Sequence, residues 1–198
     1  MSHWRRVLVV GIVAFAAFAF TGCGTMRETL PGRSAMEQLL ISSAADKAIA
    51  SLPVSNFEGK AVFLDFASLD AYDKPYVTQR IRDRVLSSGA SVLPEKEGAD
   101  VVLEVASGGL SFNKRDFLFG VPGVSIPTGE GSLSTPELPI FKVLFYRGKA
   151  KLVFTAIDPA ANKELWQVPV CYGKSHQSLW WVLLFGPFVS NDLPEELD

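Results

Sequence analysis

Lys60-Ala61-Val62-Phe63-Leu64-Asp65-Phe66 is apolar on both of its alternating faces, with Val62, Leu64 and Phe66 on one and Ala61 and Phe63 on the other. Such a run reads as a central strand covered on both sides. The residues after it fix its setting. Asp73-Lys74-Pro75 opens a helix with proline in its first turn, Val77, Ile81 and Val85 repeat along one helical face, and Gly89 stops it. Ser91-Val92-Leu93 is then a short second strand, so that strand, helix and strand form a right-handed crossover with parallel strands. Beyond the turn at 94–98, Ala99 to Val105 is a third strand, again largely apolar on both faces.

Upstream, Ser34 with Glu37 three residues on is a capping box, and it opens a helix to about Leu52 with Leu40, Ile41, Ala44, Ala48 and Leu52 on one face. The alanines let that helix approach a sheet closely. Downstream, residues 107–139 are rich in glycine and proline with isolated aromatics such as Phe112, Phe117 and Phe119, and no period fits them. They read either as a binding loop or as extended chain packed over the core edge. Ile140 to Tyr146 and Lys149 to Ile157 read as strands with Arg147-Gly148 a turn or bulge between them, and residues 158–163 as a hairpin loop. Glu164 to Tyr172 follows with Trp166, Val168 and Val170 on one face, and Pro169 places it near a sheet edge. Leu179 to Phe185, containing Trp180 and Trp181, is a last buried element or an aromatic patch against a membrane or a partner. The fold class expected is α/β bordering on α+β: a mixed sheet of about five to six strands, two main helices packed on it and a long Gly/Pro-rich insertion.

The N-terminus carries an address. Arg5 and Arg6 precede the apolar run Val7 to Phe20, which closes in Phe20-Thr21-Gly22-Cys23. That pattern reads as a lipobox, with residues 1–22 a signal peptide, cleavage between Gly22 and Cys23, and a lipid on Cys23 that anchors the chain to a bilayer. Residues 23–33 form the lipidated N-terminus and a tether, and residues 34–198 a single periplasmic domain. Gly24, where an aspartate would retain the protein in the inner membrane of enteric-type bacteria, favours the periplasmic face of the outer membrane. The ten residues Gly24 to Arg33 reach at most about 33 Å, so the domain stays near its bilayer.

Composition excludes several classes of function. The 198 residues carry 19 Lys+Arg against 21 Asp+Glu, and with Arg5 and Arg6 removed the balance is 17 against 21, which argues against a nucleic-acid partner. With Cys23 acylated, Cys171 is the remaining cysteine and suits a buried strand position. His176 lacks the further ligands of a metal site, and strand positions five apart point it away from Cys171. Asp65, Asp70 and Asp73 gather near the end of the first strand, where α/β folds tend to place ligand sites, although Asp70 suits a turn and Asp73 a helix cap. No phosphate loop, nucleophile elbow or zinc helix occurs, and no catalytic residue, cofactor or metal is assigned.

The lipobox, the helix Leu39 to Ile49, the strand Ala99 to Val105 and Thr135-Pro136-Glu137-Leu138-Pro139-Ile140-Phe141-Lys142 resemble an uncharacterised bacterial lipoprotein family known as a domain of unknown function. More remotely, strand, helix, strand and the Ala-Asp-aliphatic-aliphatic-Leu-Glu strand are similar to the periplasmic domains of the curli-export lipoprotein and of lipoproteins that activate penicillin-binding proteins. Those resemblances imply an interaction or assembly module without catalysis. The expectation is an envelope lipoprotein whose partners are the bilayer, through acylated Cys23, and another envelope protein, with Phe117, Phe119, Trp180 and Trp181 as a surface for a partner or for the membrane. The alternatives are a hydrolase acting through Asp65, Asp70 and Asp73, and an oligomeric export component. The latter is disfavoured because no clear pair of alternating nine- to eleven-residue strands, as a membrane hairpin needs, stands out.

Overall fold

The computed structural model describes residues 34–71, 73–128, 131–183 and 185–194. The expected signal peptide, the cleavage site, Cys23 and the tether lie outside the described residues. Helix α1, Ala35–Ala50, starts as the capping box requires: the Ser34 hydroxyl accepts from the Glu37 N–H at 3.2 Å. Strand β1, Ala61–Asp65, leads through helix α2, Lys74–Leu86, to β2, Ser91–Leu93, and β1 pairs in parallel with β2 on one side and with the start of β3, Val101–Val121, on the other. This is the expected crossover unit.

The remainder is antiparallel. β3 pairs along its length with β6, Leu138–Asp158, and β6 pairs with β8, Cys171–Val182, which pairs with the edge strand β9, Phe185–Asn191. β7, Lys163–Trp166, extends the same side of β6 as β8, and β4 (Ser125–Thr128) and β5 (Gly131–Ser134) form a separate small hairpin between β3 and β6. Among the described residues the result is a seven-stranded mixed sheet with two α-helices.

One face of this sheet holds the core. Val62, Leu64, Val101, Leu103, Val105, Ala150, Leu152, Phe154, Ala156 and Cys171 are buried against Ala44, Ala48 and Leu52 from the first helix and its end and Val77, Ile81 and Val85 of α2. At about 25 cal/mol per Å² of apolar surface, this shared layer is the main stabilising term. The expectation that β1 is covered on both sides is corrected. Its burial alternates, with Val62 and Leu64 buried and Ala61, Phe63 and Asp65 half-exposed, because both helices lie on the same face.

Two glycines let α1 sit that close. A Cβ on Gly173 would lie 1.8 Å from the Ala44 carbonyl oxygen, and one on Gly148 would lie 2.2 Å from that of Leu40. Gly148 is therefore part of neither a turn nor a bulge, the two readings expected for Arg147-Gly148. It stands mid-strand in β6, where the helix backbone passes over it, and the Ser175 hydroxyl beside it donates to the Leu40 carbonyl. A second correction concerns residues 164–172: the pairing breaks after Trp166, and a new strand begins at Cys171, with Pro169 in the gap.

The largest correction falls on residues 107–139. Phe112 to Val121 continue β3 without a loop, and β6 answers them from Leu138 onward, so the two strands reach 21 residues each. The Gly/Pro-rich insertion is thus mostly sheet, and the long paired strands that the sequence did not display are present.

Candidate interaction surface

Beyond the level of Gly148 and Ser175, the strands β3, β6, β8 and β9 run on past the start of α1 as a four-stranded extension. Its residues sort by strand parity, because residues opposite each other in an antiparallel pair share a face. On the helix side stand Phe112, Lys114, Asp116 and Leu118 of β3, Lys142, Leu144 and Tyr146 of β6, and Leu179 and Trp181 of β8. Lys142 donates to Glu137 at 2.7 Å, and that hydrogen bond is the main reason its ammonium is held above the ordinary lysine range.

Among the described residues the opposite face has no helix on it. Its outermost row is Phe119, Phe141 and Val182, with Phe185 opposite Val182 across β9. The next row is Phe117, Val143, Trp180 and Phe188, and the third is Arg115, Phe145, Ser178 and Ser190. Rings touch along these rows: Phe117 and Phe141 at 6.4 Å between centroids, Trp180 and Phe188 at 4.9 Å. Apart from Val143, which these rings bury, the large side chains nevertheless stay open to solvent, with Phe119 60% and Phe117 54% exposed. Of the four expected surface residues, the structure brings Phe117, Phe119 and Trp180 onto one face and puts Trp181, half-buried, on the other.

Behind the apolar rows the same face turns cationic. Arg147 stands opposite His176, Lys149 opposite Lys174, and Lys151 opposite Tyr172. Phe145, Arg147, Lys149, Lys174, His176 and Ser178 line an open depression of about 630 Å³. Directly opposed like charges cost energy in a sheet, so Lys149 and Lys174 are not there for stability. The sequence carried this signal as the alternation Arg147, Lys149, Lys151 and Lys174, His176, which becomes one face once both stretches are strands. Reading Arg147-Gly148 as a turn concealed it.

Asp192, just past β9, engages the edge of this belt. It accepts from Lys47 Nζ at 2.6 Å and from the His176 N–H at 2.6 Å, and its carboxyl lies 3.2 Å from His176 Nδ1. Burial, the largest single effect, pushes its pKa up, but the Lys47 hydrogen bond, the His176 N–H and the charges of both outweigh it and hold the carboxyl below its ordinary value.

Of the carboxylates considered for catalysis, Asp65 accepts from the Ala67 N–H at 2.9 Å; Asp70 is engaged through its main-chain carbonyl, which accepts from the Ser107 hydroxyl, and Asp73 holds the N-cap position of α2 without a side-chain capping hydrogen bond. Among the described residues no group of three His, Cys, Asp or Glu side chains could hold a metal ion. Cys171 is buried on the core face. Its parity opposes that of His176, which is exposed on the bare face, so the two do not form a pair.

Among the described residues no helix is long and apolar enough to cross a membrane. No curated protein matches the chain. The model of a family of unknown function, DUF6655, matches residues 17–196, nearly the whole sequence, with the crossover unit, both long strands and the bare face inside the match, and the chain belongs to that family.

Proposed function

We propose that this chain is a bacterial outer-membrane lipoprotein, acylated at Cys23 and held on the periplasmic side, that serves as a protein-interaction or assembly module of the cell envelope. The observation that carries the reading is the pair of open edges on the extension. β1 covers β3 only at Val101 to Glu104, so from Val105 to Val121 the outer side of β3 has no strand on it among the described residues, and the outer side of β9 has none either. Unpaired strand edges are templates for strand addition by another chain. The N-terminal pattern supports the anchor, and the remote resemblance to envelope assembly lipoproteins agrees with a module that binds.

Two experiments test this. Cells fed labelled palmitate should label the wild-type protein and not Cys23→Ala; equal labelling would remove the anchor from the account. A photo-crosslinking residue at Asn113 or Ser190, on the two edges, should capture one specific envelope protein in intact cells, while the same residue at Glu95 should not. Identical capture profiles at all three positions would refute the module.

The same two edges favour a second reading, the oligomeric export component. An edge strand β3 of one copy could pair with β9 of the next, and purified protein in detergent would then form closed rings. A monomer at all concentrations would exclude it.

A further inference from the structure

We infer that the bare face of the extension docks flat on an anionic phospholipid bilayer. The aromatic rows enter the acyl boundary, and Arg147, Lys149, Lys151 and Lys174 hold the headgroup phosphates. The face itself, and not the acylation of Cys23, is what argues for this occupant. Its outer rows offer Phe117, Phe119, Phe141, Trp180, Val182 and Phe188, all but one of them aromatic. Its inner rows offer only cations and neutral groups: from Gly109 to Phe119, Phe141 to Lys151 and Tyr172 to Val182, no carboxylate stands on this face of the strands. An apolar protein partner would not require the opposed cations, and a soluble anion would not require the aromatic rows. A bilayer surface presents both chemistries side by side.

Geometry agrees with charge. Rows on one face of a strand are about 6.8 Å apart, so the six rows from Phe119 to Lys151, with Arg115 and Phe145 between the aromatic and cationic ends, share one footprint about 34 Å long, and side chains standing off a sheet reach the roughly 5 to 10 Å depth of an interfacial element. Two cations already lean on rings of the same face, Arg147 over Phe145 at 5.9 Å and Lys151 over Tyr172 at 6.0 Å. Toward the crossover end, Asp65 and Glu104 stand opposite each other on the same face and close the footprint by repulsion. Among the described residues Asp192 is the carboxylate that contacts the belt, and Lys47 already holds it.

The test uses the full chain with Cys23→Ser, so that docking is read without the acyl group, and an environment-sensitive fluorophore on Phe119→Cys or on Glu95→Cys. In vesicles of phosphatidylcholine with about one third phosphatidylglycerol, the label at 119 should shift to the blue and be quenched by doxyl lipids, and the label at 95 should not. The triple variant Lys149→Glu, Lys151→Glu, Lys174→Glu should lower the docked-to-undocked ratio on the order of a hundredfold or more, at about one kcal/mol per basic residue near an anionic surface, and the Lys→Arg triple should retain it. Quenching at 119 that matches 95, or that is indifferent to phosphatidylglycerol and to the charge reversal, would overturn the inference. So would a label at 119 already shielded without lipid at micromolar protein, which would assign the face to a second copy.

Discussion

Replacing Gly173 with alanine should loosen α1 from the sheet. The added methyl would stand 1.8 Å from the Ala44 carbonyl oxygen and 2.7 Å from the Ala48 nitrogen, both backbone atoms of a helix that cannot rotate away. Real Cβ contacts stay above 3.0 Å, so helix and strand must part by about 1.2 Å there. A gap of that order forfeits a quarter to a half of each dispersion contact across it. The contacts at stake are those of Leu40, Ile41, Ala44, Ala45, Ala48 and Ile49, all buried. Overpacking of this kind costs about 1 to 3 kcal/mol, and backbone on both sides puts this site at the upper end. For a domain of this size about 3 kcal/mol corresponds to a fall in Tm of about 6 to 12 °C. Gly59→Ala is the matched control: its φ of +69° is left-handed, but no atom lies within 4 Å of the new methyl, so its cost is conformational, about 1 to 2 kcal/mol. Thermal unfolding followed by far-UV circular dichroism reads both. A Gly173→Ala protein as stable as wild type, or less perturbed than Gly59→Ala, would refute the close seating of α1.

Three further outcomes are expected. Because the Asp192 carboxyl is held below its ordinary value in the folded state, its contribution is complete above the unfolded value near pH 4 and is lost as pH falls through the lower folded value. Asp192→Asn should therefore lower stability at pH 7 and flatten its decline as pH falls below about 4; denaturant melts at neutral and acid pH check it, and parallel curves would contradict it. Tyr76 donates to the Asp46 carboxylate at 2.7 Å, Arg80 Nε donates to the same carboxylate at 2.8 Å, and burial first, then the Asp46 hydrogen bond, push the Tyr76 pKa up to about 12. Asp46→Ala should bring that titration part of the way back toward 10, seen at 295 nm, while costing less than about 1 kcal/mol since the ion pair is exposed. The Cys171 thiol, 2% exposed, should be inert to an aromatic disulfide reagent in native Cys23→Ser protein and react fully on unfolding; fast native reaction would contradict its place in the core.

What the sequence made legible was local. The Ser34 capping box, the alanine face of α1 and the crossover from Ala61 to Leu93 each announce themselves within a short continuous stretch, and each forms as read. What it hid was set by distant partners. Gly148 reads as a turn because its real requirement, the Leu40 carbonyl passing overhead, lies more than one hundred residues away. Gly109 and Gly120 read as loop for a similar reason: each sits at a register shift of the long β3–β6 pair with φ near +150°, a kink in a strand that continues. β1 reads as doubly covered because Phe63 is as apolar as Val62, and apolarity alone does not say that one face stays bare. The candidate surface was half legible: Phe117, Phe119 and Trp180 stood out as exposed aromatics, whereas the cationic belt behind them becomes a surface only when Arg147 to Lys151 and Lys174 to His176 are paired strands.

The bare face of the extension is the centre of the account, and its cover in the living envelope can be measured directly. Cysteines introduced at Phe119, Lys149 and Glu95 would be challenged with a bulky polar maleimide in opened envelopes and again after detergent extraction. The account expects positions 119 and 149 to be blocked in envelopes and all three to react once extracted. Equal reaction at 119, 149 and 95 before extraction would show that nothing covers this face, and would contradict it.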